Sequence, residues 1–297
     1  MPTKPISIVI ILAWLTTMGW LVKREYYYYW NASPIPPVVA DLADEVAPER
    51  HSWTIYRNGD KAGMCTTVVS PLGDGLYQLE STIRDLKLPV ALVTVQIPYL
   101  RTQKNVNRLG ELQTADVEGR FVMMALGLQL EMKIHLYGTV VGDEFRSEAD
   151  FDTAFGKSHI QLAPTEMRTK TAFSPLQPMH KYPGIRSGQS WKVSNFDVID
   201  FALTSAFQQF AQDMLKKAGT GKLPINLANN QKAPEELLAV VLSDRENVQL
   251  RNKTVSCQII EFRGKSVLAK SFVDPATGKV LKQEVGGYGE SLILQRD

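Results

Sequence analysis

The chain has 297 residues, 44% of them hydrophobic and 22% charged, a composition that supports one large domain or two small ones. Lys plus Arg number 33 against 31 Asp plus Glu, which leaves no basic surplus for tracking phosphates, so nucleic acid is not an expected partner. The only cysteines, Cys65 and Cys257, exclude a disulfide scaffold and a Cys-rich zinc module; one long-range disulfide and two separate buried thiols both stay open.

Residues 1–25 read as a transmembrane anchor. From Ile6 to Val22 the chain is uncharged and mostly apolar, bounded by Lys4 on one side and by Lys23 and Arg24 on the other. A helix over this run nearly covers a hydrocarbon core of roughly 30 Å. A cleaved signal peptide competes, because Thr17-Met18-Gly19 loosely fits a small-x-small site; the continuation of the apolar run to Val22 and the basic pair behind it favour the anchor. The flanking charges do not fix the orientation and lean, if anything, against export.

Residues 26–50 read as an interfacial belt followed by a stalk. Tyr26 to Tyr29 and Trp30 are rings suited to headgroup level, and Pro34, Pro36, Pro37 and Pro48 alternate with Asp41, Asp44, Glu45 and Glu49 in a stiff segment poorly suited to a core.

From residue 51 to 297 the spacing predicts a mainly β (α+β) domain. Alternation with period two marks strands at Tyr77 to Ile83, Val255 to Phe262, Val267 to Val273 and Val280 to Val285, with turn chemistry at Asn58-Gly59, Gly73-Asp74-Gly75, Arg263-Gly264 and Pro275 to Gly278. The clearest strand sets Leu128, Leu130, Met132, Ile134 and Leu136 against Gln129, Glu131, Lys133, His135 and Tyr137. The next sets Phe145, Ala149 and Phe151 against Arg146, Glu148, Asp150 and Asp152, and Gly138 to Gly142 is expected to join the two as a hairpin.

The period changes once. Across residues 196–217 apolar positions recur at three- and four-residue steps (Ile199, Ala202, Leu203, Ala206, Phe207, Phe210, Met214), which predicts an amphipathic helix with Asn195 as its N-cap. A loop over 221–234 follows. The apolar stripe needs cover, and the concave face of a strongly twisted sheet is the nearest apolar surface. Helix and sheet then either close a plain core or enclose a cavity. In the second case Leu130, Met132, Ile134, Phe145, Phe151, Phe207, Phe210 and Met214 are the expected apolar-ligand residues.

No catalytic signature stands out, and neither a cofactor nor a metal is expected. His51, His135, His159 and His180 form no H-E-x-x-H pair and have no second ligand at metal spacing; His135 and His159 read as solvated surface residues. Gly156-Lys157-Ser158 and Gly264-Lys265-Ser266 echo a phosphate loop, but Phe151 and Ile259 occupy the glycine positions, so both read as hairpin turns. Gly286-Gly287-Tyr288-Gly289 is flanked by strands rather than by a helix. A histidine and a carboxylate within hydrogen-bonding reach in a compact pocket would be needed to argue for an enzyme.

The stretch Pro183 to Val193 (PGIRSGQSWKV) with Phe196-Asp197, and the terminal run Ser271 to Glu284 (SFVDPATGKVLKQE), resemble segments of uncharacterised exported bacterial proteins, which are similar in turn to the half-barrel periplasmic carriers that sort lipoproteins. Over residues 50–297 this resemblance implies a curved antiparallel sheet wrapped around an apolar interior, on the extracytoplasmic, periplasmic side. The expected function is a membrane-anchored binding module for a lipid or other apolar ligand. The alternative is a non-enzymatic scaffold or accessory subunit that engages another envelope or membrane protein.

Overall fold

The structure, a computed structural model, describes residues 11–21, 23, 32, 42, 47–90, 93–125, 128–167, 172, 181–182, 184–194, 197–217, 236–250, 253–264, 268–287 and 290–297. Residues 11–21 are helical and are termed α1. The strands are β1 (Glu49–Arg57), β2 (Asp60–Gly73), β3 (Leu76–Val90), β4 (Val93–Asn107), β5 (Leu112–Ala125), β6 (Leu128–Val141), β7 (Glu144–Thr153), β8 (Gly156–Gln161), β9 (Thr165–Glu166) and β10 (Ser190–Ser194). Helix α2 (Val198–Lys217) comes next, then β11 (Glu236–Gln249), β12 (Thr254–Arg263), β13 (Leu268–Val273), β14 (Val280–Gly287) and β15 (Glu290–Arg296).

All the strands join one open antiparallel sheet in the order β10-β11-β12-β13-β14-β15-β1-β2-β3-β4-β5-β6-β7-β8, with β9 beside β7. Two antiparallel runs make it up, β1 to β8 by sequential hairpins and β10 to β15, in which α2 intervenes between β10 and β11, and the pairing of β1 with β15 zips them together from Trp53↔Arg296 to Arg57↔Leu292. Polar contacts lock this seam. Arg296 Nη2 donates to His51 Nδ1, Glu49 Oε1 lies 3.3 Å from His51 Nε2 and 2.9 Å from Lys279 Nζ, and Thr54 Oγ1 donates to Asp297 Oδ1 at 2.8 Å.

The turns follow the residues that tolerate positive φ. Asn58 and Gly59, with φ of 51° and 89°, form the two-residue loop of the β1–β2 hairpin. Between β13 and β14, Asp274 accepts from the Ala276 N–H at 3.0 Å and from Thr277 Oγ1 at 2.8 Å, which fixes the expected Pro275 to Gly278 turn.

Irregularities align across the long strands. Ala62 is an extra residue in β2 opposite Ile55/Tyr56, Asp85 in β3 takes a φ of 54°, and Pro98 sits where the β4–β5 register shifts between Gln96 and Tyr99. Bulges of this kind bend a sheet, and proline is tolerated there because no ladder N–H is required of it. The result is a half-barrel-like sheet whose inner face carries two large buried clusters that meet at Leu100 and Phe121.

One end of this interior is closed. Where β2–β3, β4–β5 and β6–β7 turn, Leu42, Leu162, Met167 and Ala172 pack into the first cluster. Three of their backbone N–H groups are bonded to the rim: Leu42 to Arg108 O at 3.2 Å, Ala172 to Gly110 O at 2.9 Å and Met167 to Asp143 O at 2.8 Å. The expectation that residues 26–50 stand clear of the domain is thus corrected at Leu42, which is 3% exposed and plugs the core.

The expected hairpin of β6 and β7 is present, but its turn is tighter than Gly138 to Gly142. Strand β6 continues through Gly138, and the turn falls at Gly142 and Asp143. Gly138 is a packing glycine: a Cβ placed on it would lie 2.1 Å from Cζ of Phe145, whose ring is fully buried over this position.

Helix α2 packs on the inner face through Ile199, Ala202 and Ala206, with Leu203 and Phe207 beside them. Phe207 meets Phe121 and Phe151 edge-on at centroid distances of 5.6 and 5.7 Å. Its start differs from expectation, because Asp197 is the N-cap: Oδ1 accepts from the Ile199 N–H at 2.9 Å. Asn195 and loop 221–234 lie outside the described residues.

Cys65 lies in the second inner cluster and Cys257 in a small cluster on the opposite face, formed with Val248, Ile259, Phe272 and Leu281. Both are buried free thiols, and burial pushes the Cys65 thiol up to about 11, which makes it a poor nucleophile.

Candidate functional site

The inner face is half-buried in its middle, at Leu79, Ile83, Leu100 and Phe121, and again near the end where β1–β2, β3–β4, β5–β6 and β14–β15 turn. Just inside that end Ile55, Leu86, Ile97, Met132 and Leu294 are buried. One pleat further out lies a band of half-buried side chains: Val285, Leu292, Arg57, Ala62, Leu88, Val95, Met123 and Leu130. Register links the band in two runs, Val285↔Leu292 and Leu292↔Arg57 on one side of the bulged Ala62 and Leu88↔Val95, Val95↔Met123 and Met123↔Leu130 on the other. This half-buried row, at the end where the hairpins turn, is termed the mouth of the half-barrel.

The eight residues expected to contact an apolar ligand divide accordingly. Leu130 lies on the mouth band. Met132, Ile134, Phe145 and Phe151 are core side chains of the first cluster, and Phe207 packs against them. The side chains of Phe210 and Met214 lie outside what the structure describes. Sequence reasoning missed Arg57, although the alternation Trp53-x-Ile55-x-Arg57 before the Asn58-Gly59 turn already puts it on the inner face.

The outer, polar face of β4 to β8 holds an open groove of about 780 Å³. Its walls are two cross-strand rows, Glu118↔His135↔Asp150↔His159 and Tyr99↔Arg120↔Lys133↔Asp152↔Lys157. His135 Nε2 lies 2.9 Å from Asp116 Oδ2, and His159 Nδ1 lies 2.9 Å from Asp150 Oδ1. The Asp150 carboxylate holds the His159 pKa above its ordinary value. Both imidazoles are more than half exposed, at 51% and 57%, so these pairs sit in water rather than in a secluded pocket. The hydroxyl nearest in sequence, Ser158, pairs with Phe151 and therefore points to the inner face. The groove has the charge alternation of a solvated sheet face and lacks an aligned nucleophile. Among the described residues no group of three or more His, Cys, Asp or Glu converges as a metal site.

A third polar constellation was not foreseen. Lys104, on the inner face of β4 and only 4% exposed, donates to Ala172 O at 3.1 Å and to Asp197 Oδ2 at 3.2 Å. The same carboxylate that caps α2 is thus the counter-ion of a buried lysine, which ties helix, closed end and sheet together. Its role is structural.

No protein-family model matches the chain, and no curated protein or solved structure matches it either.

Proposed function

We propose that this chain is a membrane-tethered, extracytoplasmic binding module that holds a lipid or other apolar ligand at the mouth of its half-barrel. The observation that carries this reading is the band of half-buried, mostly apolar inner-face side chains at the end of the sheet where β1–β2, β3–β4 and β5–β6 turn. Burying such a rim against an acyl chain would recover about 25 cal/mol for each Å² removed from water.

The tether reading is supported by α1. Ile11, Leu12, Trp14, Leu15, Met18, Trp20 and Leu21 are all largely exposed, so the domain gives this apolar helix no cover. Thr16 and Thr17 donate their hydroxyls to the carbonyls of Leu12 and Ala13, each at 2.8 Å, so that neither hydroxyl would meet lipid without a partner. Among the described residues no helix is long and apolar enough to span a bilayer, and residues 6–10 of the expected run lie outside them. The resemblance to exported half-barrel proteins supports the periplasmic side.

The test uses the full chain in zwitterionic phospholipid nanodiscs, with empty nanodiscs as the blank and 1-N-phenylnaphthylamine as the apolar probe. Saturable extra fluorescence is expected, and Val95→Asp and Leu130→Asp should abolish it. Equal uptake by protein-bearing and empty nanodiscs would end the proposal.

The outer face favours a second reading, a scaffold or accessory subunit of an envelope complex, because the charged groove offers exposed complementarity to a protein surface. Crosslinking in intact cells from a reporter at Lys133 or Lys157 should then capture one defined partner; self-contacts alone would remove this alternative.

A further inference from the structure

The closed end of the half-barrel carries a row of exposed apolar side chains. Outside α1, seven large hydrophobic side chains are exposed among the described residues, and four of them sit on three neighbouring hairpin tips at this end. Leu72 and Leu76 flank the Gly73-Asp74-Gly75 turn of β2–β3, Leu109 stands in the β4–β5 turn, and Val141 ends β6 at the β6–β7 turn. Their exposures are 51%, 38%, 55% and 47%. The tips are tight turns: Gly73, Asp74, Gly75, Gly110 and Gly142 take positive φ, and Asn107 Oδ1 accepts from the N–H groups of Leu109 and Glu111 at 3.0 and 2.9 Å. Each tip lies two strands from the next, about 10 Å along the sheet.

We infer that these three tips dock the closed end onto the surface of a lipid bilayer, so that the mouth opens away from the membrane. The inference rests on the tether reading above and adds how the domain stands on the bilayer. Three observations carry it. First, the segment between α1 and β1 meets the domain at this end, where the Leu42 N–H is bonded to Arg108 O, next to Leu109. An anchored chain thus arrives at the closed end and not at the mouth. Second, the apolar side chains stand on separate points rather than in one continuous patch. Fluid lipid can close around each point, whereas a rigid protein surface would need three matched pits. Third, the charges on these tips are Asp74, Glu111, Asp143 and Glu144 against Arg108 and Arg146, with no basic surplus for anionic headgroups, so the contact is apolar and suits zwitterionic lipid. Strands β3 to β5, of 15, 15 and 14 residues, set the mouth roughly 45 Å from the tips. Ligand exchange then takes place on the side away from the bilayer. Phe155, 70% exposed on the β7–β8 turn at the opposite end, is the reference position.

The test uses the full chain in phosphatidylcholine vesicles, with an environment-sensitive nitrobenzoxadiazole label on Leu72→Cys, Leu109→Cys, Val141→Cys or Phe155→Cys. Cys65 and Cys257 are buried and should not compete for the label. Labels on the three tips should shift to the blue, be quenched by lipid carrying a nitroxide near the headgroup, and resist iodide about fivefold better than the label at position 155. Leu72→Asp with Leu109→Asp should open position 141 to iodide while α1 keeps the chain on the vesicles; if that variant does not fold, the labelled series decides alone. Added anionic lipid should not strengthen the protection. Vesicle-bound chain whose tip labels are as open to iodide as the label at position 155 overturns the inference and leaves the tether standing. A protected position 155 beside open tips does the same, and so does tip protection that appears only with anionic lipid. If the chain does not stay with the vesicles, tether and docking fall together.

Discussion

Replacing Gly138 by alanine should destabilise the domain, although the same change in an ordinary strand stabilises it. In an open strand position, alanine gains about 0.5–1 kcal/mol over glycine, because glycine loses more freedom on folding. At Gly138 the new Cβ would lie 2.1 Å from Phe145 Cζ and 2.7 Å from Cε1 and Cε2, well inside contact distance. Phe145 has no exposed surface through which to swing away, since its ring is sealed within the first inner cluster. Relief requires either an off-rotamer ring or a shifted strand, at about 1–3 kcal/mol for overpacking of this kind. A net loss of about 2 kcal/mol is therefore expected. Urea unfolding of the single variants and of Gly138→Ala with Phe145→Leu measures it, because a smaller side chain at 145 should absorb most of the clash. A neutral or stabilising Gly138→Ala, or effects additive within about 0.5 kcal/mol, would refute the packing argument.

Other consequences follow from the same structure. Lys104→Ala leaves the Asp197 carboxylate buried without its cation and should cost about 3–5 kcal/mol by urea unfolding, whereas Lys104→Met with Asp197→Ser should cost clearly less. Asp150→Asn should lower the midpoint of the His159 NMR titration towards the ordinary histidine range. Because the folded pKa is raised, the stabilisation contributed by this pair is present at acidic pH and fades as pH rises through the folded value. Deleting residues 290–297 removes the strand that joins β14 to β1, so the two runs should separate and limited proteolysis should cut between residues 167 and 190 far sooner than in the intact chain.

The β-rich architecture was legible wherever one face of a strand is buried and the other solvated. Strands β6 and β7 show this plainly, with Met132, Ile134, Phe145 and Phe151 in the core and Lys133, His135, Arg146 and Asp152 outside it. The α2 stripe was legible for the same reason, in a different period. Gly138 misled because a glycine in a strand reads as a turn until the ring that covers it is known. Asp197 was hidden as a cap by its neighbour Asn195, since either residue type suits the position and only the buried Lys104 decides between them. Leu42 lies in a segment whose prolines and acids mask a single plugging side chain. The pairing of β1 with β15 brings together residues more than two hundred positions apart, and no local pattern encodes such a contact. The mouth was out of reach for that reason: Leu88, Val95, Met123, Leu130, Leu292 and Arg57 become one band only once the register across the sheet is fixed. Local periodicity says which way a side chain points, whereas how far out along the half-barrel it sits depends on bulges at Ala62, Asp85 and Pro98 that shift the strands against each other.

Native mass spectrometry of the full chain, isolated gently from the cells that express it, tests the binding proposal most directly. An adduct with the mass of one acyl-bearing molecule is predicted, retained at low collision energy and missing from Val95→Asp and Leu130→Asp. A bare polypeptide mass for the unmodified protein, prepared under conditions that preserve other lipid complexes, would contradict it.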